Sequence, residues 1–321
     1  MTPNPYTFGV ITFGVITDEI DQDFGRACQV AQEEGMAYVE IHTLWGKHVD
    51  ELTPTELDEV ERILDERGLR THLVCGLLFR PFSLADVELG RMAAHPRFQE
   101  HMAKLERFIA IAKRLRAPYI RTFGFTRDVG GTNPSPRSPD GGGISDETLA
   151  KIAEGLRPAC ERVAEAGLHL ALENARSLYA NTGGNMRRVL DAVDHPALKI
   201  IWDPANAFVA GEEPAAGYQA VRGQIVDIHC KDAVVVDEAT GLTAWARIGE
   251  GGTGWREHLA LLATDISNNG APVNTYTIET HWNPGGQDKA TSTRQTFASL
   301  KQLIAELAGA ANPTHTKGSS R

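Results

Sequence analysis

The sequence has no apolar stretch approaching the roughly 18 residues that a membrane span needs, so no segment is expected to cross a bilayer. It also lacks any run of Lys or Arg. With 32 basic against 42 acidic residues the formal charge is -10, which repels phosphate backbones and excludes nucleic acid as an expected partner. Cysteine is scarce: Cys28, Cys75, Cys160 and Cys230 are scattered, with no CxxC pair. That excludes a disulfide framework and points to reduced thiols in a cytoplasmic protein. Residues 1–6 have no basic n-region, so no secretory signal is read there. There is no HExxH, no nucleophile elbow, no P-loop and no GxGxxG after a strand.

What is present is a long alternation of short β-branched runs with amphipathic segments. Strands are predicted at 13–17, 38–42, 70–75, 119–123, 169–173, 200–203, 226–231 and 275–280. Helices are predicted at 24–34, 54–67, 96–115, 146–166, 186–191, 218–221, 255–268 and 293–307. The second helix carries its own punctuation: Thr53 as N-cap, Pro54 in the first turn, Glu56 for a capping box and Gly68 as the stop. A β-hairpin is expected across 233–246, turning at 238–241. Eight strand–helix units argue for a parallel sheet, and eight is the number that closes a barrel. The expected fold is therefore a single (β/α)8 TIM barrel over 13–308, with an N-terminal segment 1–12 and a flexible tail 309–321. The FGVIT at 8–12 repeats at 13–17, too short a duplication to be an architectural repeat.

In such a barrel the C-terminal strand ends open onto the active-site face. Polar residues gather there: Glu40 and His42 on strand two, Thr71 and His72 on strand three, Glu173 and Asn174 on strand five. Asp203 closes strand six, His229, Lys231 and Asp232 close strand seven, and Glu279 and His281 close strand eight. One such residue is more often scaffold than ligand. Six strand ends are harder to attribute to packing, because unpaired buried charge is expensive. Residues two apart share a face, so His229 and Lys231 point together, as do Glu279 and His281, and Glu40 and His42. Glu173, Asp203, His229 and Glu279 then offer three carboxylates and one imidazole from four successive strands. That set suits one hard or borderline divalent cation, Mn2+ first, with Mg2+ or Co2+ as alternatives.

The strand-end series LEN (172–174), WDPAN (202–206), IHCKD (228–232), IGEGGTGW (248–255) and IETH (278–281) resembles the xylose isomerase-like superfamily of sugar isomerases and epimerases. The resemblance spans most of the chain. It implies metal ligation by Glu173, Asp203, His229 and Glu279, and in the ketose 3-epimerase members the two ligand glutamates also exchange the substrate proton, one from each face. Two positions depart from those epimerases. Asn206 stands where they carry a His, and Val235 where they carry an Arg. The His-x-Lys-Asp form of 229–232, with the following Gly-Glu-Gly, is more similar to the inosose dehydratase-like and general isomerase branches, which also include the large subunits of lyases that cleave C-glycosides of 3-keto sugars. Endonuclease IV, another relative, needs more ligands than can be placed here.

The expected function is a metal-dependent sugar or polyol isomerase or epimerase working through a metal-stabilised enediolate. A lyase on the same site is the alternative, and a barrel that binds a sugar or polyol without turnover is the rival from another class; a missing ligand would mark it, and all four are present. Glu173 and Glu279 are the leading bases, His42 and His72 the alternatives, and Lys231 a proton donor or oxyanion partner. Glu40, Asn206, Glu250, Arg247, His281, Trp282 and Trp45 are the candidate substrate contacts, with a surface role favoured for Arg247. Loops 76–96, 126–145 and 281–290 lie on the same face and are long enough to serve as lids or contacts to a second copy or an accessory subunit.

Overall fold

The computed structural model describes residues 11–80, 82–127, 142–267 and 273–310. Eight parallel strands close into a barrel: β1 (Thr12–Ile16), β2 (Tyr38–Ile41), β3 (Arg70–Leu78), β4 (Tyr119–Thr122), β5 (His169–Glu173), β6 (Leu198–Trp202), β7 (Ile225–Cys230) and β8 (Thr275–Ile278). Each pairs with its sequence neighbours, and β8 returns to β1 with Val15 opposite Ile278. The predicted fold holds. The second FGVIT copy forms β1, whereas residues 1–10 and 311–321 lie outside the described residues.

Helices wrap the outside: α1 (Phe24–Glu33), α2 (Pro54–Arg67), α3 (Pro96–Arg114), α4 (Asp146–Glu165), α5 (Gly183–Val193), α6 (Pro204–Ala210), α7 (Pro214–Val221), α8 (Trp255–Ser267) and α9 (Lys289–Ala310). The α2 boundaries follow from its caps. Thr53 and Glu56 form the reciprocal capping box, and Gly68 ends the helix at φ 65°, a conformation that costs glycine little. The main core lies between strands and helices, and a smaller cluster of Leu73, Cys75, Ala171 and Ile201 packs with Tyr119 and Val226.

Two features differ from the sequence expectation. β3 runs on to Leu78 rather than stopping at Cys75, so His72 stands near its start. α6 was not anticipated: Asp203 caps it and Gly211 closes it after only seven residues, too short to show a helical period. Two small antiparallel ribbons decorate the C-terminal side, Thr43–Leu44 with Lys47–His48 after β2, and the expected hairpin Asp232–Asp237 with Leu242–Ala246 after β7.

Candidate metal centre

β5, β6, β7 and β8 bring Glu173, Asp203, His229 and Glu279 together, with one potential donor atom of each within 4.8 Å of the others. All four are buried, Asp203 and His229 completely. His229 Nδ1 lies 3.1 Å from Glu279 Oε2 and 3.6 Å from Glu173 Oε1. Asp203 Oδ1 accepts the Asn206 N–H at 2.8 Å as the N-cap of α6, which leaves Oδ2 directed at the cluster. Asn174 fixes Asp203 from behind, accepting its N–H at 2.9 Å and donating to its carbonyl at 2.8 Å.

Three carboxylates this close need positive charge between or around them. The chain supplies some of it. Lys231 Nζ sits 2.8 Å from Asp203 Oδ2 and 2.7 Å from Glu279 Oε2, an ammonium where a cation would be held. Burial works against its charge, but Asp203 and Glu279 outweigh burial and keep it protonated. Arg121 donates to Glu173 Oε2 at 3.1 Å; burial pushes the Glu173 carboxyl up, and Arg121 with His229 brings it below the usual range. His281 bridges Glu279 Oε1 at 3.2 Å and Glu19 Oε1 at 3.1 Å. Burial and Lys231 oppose its charge, yet Glu279 and Glu19 raise it to about 9. The donor set fits one oxygen-rich divalent cation such as Mn2+, Mg2+ or Co2+.

The remaining predicted site residues divide. Lys231 and His281 stand at the centre. Trp282 lies under the Arg247 guanidinium, 5.8 Å from its ring centroid, and Arg247 also pairs with Glu250 at the surface, the role favoured for it. Asn206 is buried and donates to the Asn174 carbonyl at 2.8 Å, bracing the scaffold instead of facing the cluster. Glu40 is fully buried behind His229, with Oε2 3.2 Å from its Nε2. His42 is held by Asp18 at 3.3 Å and packs on the His48 ring. Trp45 packs edge-on against Phe24 of α1 and belongs with the core. His72 is at the other end of the barrel, between the Tyr38 and Tyr119 rings, in a cavity of about 790 Å3 lined also by Arg70, Thr71 and Arg116. It is the third residue of β3, at the strand's N-terminal end and so away from the C-terminal mouth. Of the expected lid at 126–145, residues 128–141 lie outside the described residues.

Two contributors were missed. Arg121 lies within β4, and a cation between Ile120 and Thr122 inside a predicted barrel strand was the available signal. Trp245, on the hairpin, sets its ring 4.9 Å from that of His281 with Lys231 Nζ 5.1 Å above it. The hairpin is tied at its base by Asp232, whose carboxylate accepts the N–H groups of Ala233, Gly249, Gly251 and Thr253.

Comparison with known proteins agrees with the fold. The chain is 25% identical over 217 residues to the 3-dehydroshikimate dehydratase of Bacillus anthracis, covering 67% of this chain and 68% of that protein. A xylose isomerase-like TIM barrel protein from Mycobacterium smegmatis in complex with magnesium superposes with a TM-score of 0.65 at 17% identity, covering 92% of this chain and 97% of that one. The IolI protein with a bound zinc atom gives a TM-score of 0.69 at 13% identity, covering 94% and 100%. These two likenesses show the fold alone. The family model described as xylose isomerase-like TIM barrel matches residues 28–303, and the chain belongs to that family.

Proposed function

We propose that the protein is a divalent-cation-dependent enzyme that removes a proton beside the carbonyl of a small polyhydroxylated substrate, with β-elimination of water as the outcome. The observation that carries this is the buried convergence of Glu173, Asp203, His229 and Glu279 within 4.8 Å. A bound cation supplies Lewis-acid polarisation of the substrate carbonyl and lowers the cost of the negative charge that develops there.

The residues around it divide the proton traffic unequally. Glu173 is paired with Arg121, and Glu279 with Lys231 and His281, so ion pairing alone does not choose between them as base. Glu279 is assigned as the base on the β8 side because protonated His281 stands 3.2 Å from it and can serve as the acid. In this scheme the C–H bond breaks toward Glu279 and its electron pair forms the enolate. That pair then returns to expel the β-hydroxyl, which leaves as water with the His281 proton. Trp245 forms an apolar wall beside His281 against which a ring can lie. The similarity to a dehydratase at 25% identity supports the lyase reading.

Isomerisation or epimerisation is the second reading, favoured by the presence of two glutamates, Glu173 of β5 and Glu279 just beyond β8, both facing Nδ1 of His229. One experiment separates them. Protein loaded with Mn2+, Mg2+ or Co2+ is incubated in D2O with 3-dehydroshikimate, inososes and ketohexoses and followed by NMR and ultraviolet absorbance. Elimination gives a dehydrated, conjugated product; epimerisation gives deuterium at carbon in recovered ketose. Neither change on any of these carbonyl compounds contradicts the proposal.

A further inference from the structure

We propose that Glu40 is a positioning residue of the metal centre: it accepts a hydrogen bond from the Nε2–H of His229 and so turns the Nδ1 lone pair toward the three carboxylates. This rests on the metal reading above.

An imidazole has one donor and one acceptor nitrogen when neutral, and which is which depends on the partner of each. In this chain the two nitrogens meet different surroundings. Nδ1 faces Glu279 Oε2 at 3.1 Å and Glu173 Oε1 at 3.6 Å, whereas Nε2 faces Glu40 Oε2 at 3.2 Å. Glu40 comes from β2, across the barrel, and the β2–β3 pairing shifts register between Val39 and Glu40. Such an irregularity re-aims a side chain. The carboxylate is then pinned: Cys75 Sγ donates to Oε2 at 3.2 Å and Thr277 Oγ1 to Oε1 at 2.9 Å. A fully buried carboxylate held on both oxygens fixes the ring it touches, and outer carboxylates of this kind tune metal affinity by about 10–100-fold.

Glu40, Asp227 and His229 also lie close enough to hold an ion of their own. Their oxygens are already engaged in hydrogen bonds. Asp227 Oδ1 accepts from the Ile228 N–H at 2.9 Å and from Tyr38 at 3.3 Å, and Thr277 Oγ1, with one proton, is shared between Glu40 Oε1 and Asp227 Oδ2 at 2.9 and 2.5 Å. A network so engaged by hydroxyl, thiol and amide groups supports a ring; a cation needs those lone pairs free.

The test is titration of chelator-stripped protein with Co2+, read by calorimetry and by the visible absorption of the bound ion. Wild type takes one equivalent. Glu40→Gln, which keeps size and shape, takes one equivalent about 10–100-fold more weakly, with a shifted Co2+ spectrum. Thr277→Val, which removes the hydroxyl from Glu40 Oε1 while keeping the strand pairing of position 277 with His229, shows a smaller loss in the same direction. Melting of the stripped variants confirms that both are folded. Unchanged affinity and spectrum in both variants overturn the positioning role while leaving the metal centre standing. Two equivalents in wild type, with one lost in Glu40→Gln, overturn it in favour of a second ion. No binding in wild type removes the metal reading and this inference together.

Discussion

Lys231 Nζ stands 2.7 Å from Glu279 Oε2, so a lysine and a candidate metal ligand share the charge that a bound cation would also claim. The two cations compete for the same oxygens. Lys231→Met is therefore expected to tighten Co2+ binding by about ten-fold, or about 1.4 kcal/mol. The same variant should melt at lower temperature than wild type when stripped of metal, because breaking a buried pair leaves carboxylate charge uncompensated. Calorimetric titration and thermal melts with and without Co2+ check both effects. Weaker binding in the variant would show that Lys231 assists the ion instead of opposing it.

Trp245 should report on the centre from above. Its ring lies 5.1 Å from Lys231 Nζ and 4.9 Å from the His281 ring, and it is one of five tryptophans in the chain. Co2+ addition is expected to quench intrinsic fluorescence, and Trp245→Phe to remove the larger part of that quench with stoichiometry unchanged. On a turned-over substrate, Trp245→Ala should raise KM more than it lowers kcat, as loss of a packing wall does. Equal quenching in wild type and Trp245→Phe would place the ion elsewhere.

His258 gives the fold an acid sensitivity unrelated to catalysis. It is fully buried among Trp202, Tyr218 and Trp255, neither ring nitrogen has a hydrogen-bond partner among the described residues, and burial lowers its pKa to about 3. The unfolded chain binds the proton near the ordinary value of 6.5, the folded chain only near 3. Between those values the unfolded state holds more protons, so stability rises with pH and is lost as pH falls below about 6.5, by at most about 1.4 kcal/mol per pH unit from this residue. Denaturant melts of wild type and His258→Phe from pH 7 to pH 4 should show a shallower loss in the variant. Parallel curves would contradict the assignment.

Gly14 is held small by Tyr38. A Cβ at position 14 would stand 2.1 Å from the Tyr38 ring, and that ring cannot swing away without breaking its hydroxyl contacts to Thr277 and Asp227. Gly14→Ala should cost about 1–3 kcal/mol in chemical denaturation, as overpacking does. Pairing it with Tyr38→Leu should recover part of that loss. A neutral Gly14→Ala would mean that β1 has room to shift.

The barrel and the four residues that cluster at its C-terminal end were legible because their signals are local. β-branched runs mark the strands, and Glu173, Asp203, His229 and Glu279 stand at or just beyond the ends of four consecutive ones. The supporting contacts are not local. Glu40 reaches His229 across 189 positions of sequence, and Arg121 meets Glu173 from a neighbouring strand. Strand alternation gave Glu40 a face but not a depth, so it read as a substrate contact although it is buried beneath the centre. His72 was misplaced because it stands third in β3, near the strand's start, whereas the mouth is formed by the strand's far end, which runs on through Gly76–Leu78.

The most direct test of the metal centre is elemental analysis of the purified protein beside its Glu279→Gln and His229→Ala variants. The account predicts about one equivalent of a divalent ion in wild type, retained or restored after adding it back, and loss in both variants. No ion in wild type even after reconstitution, or full occupancy in both variants, would contradict it.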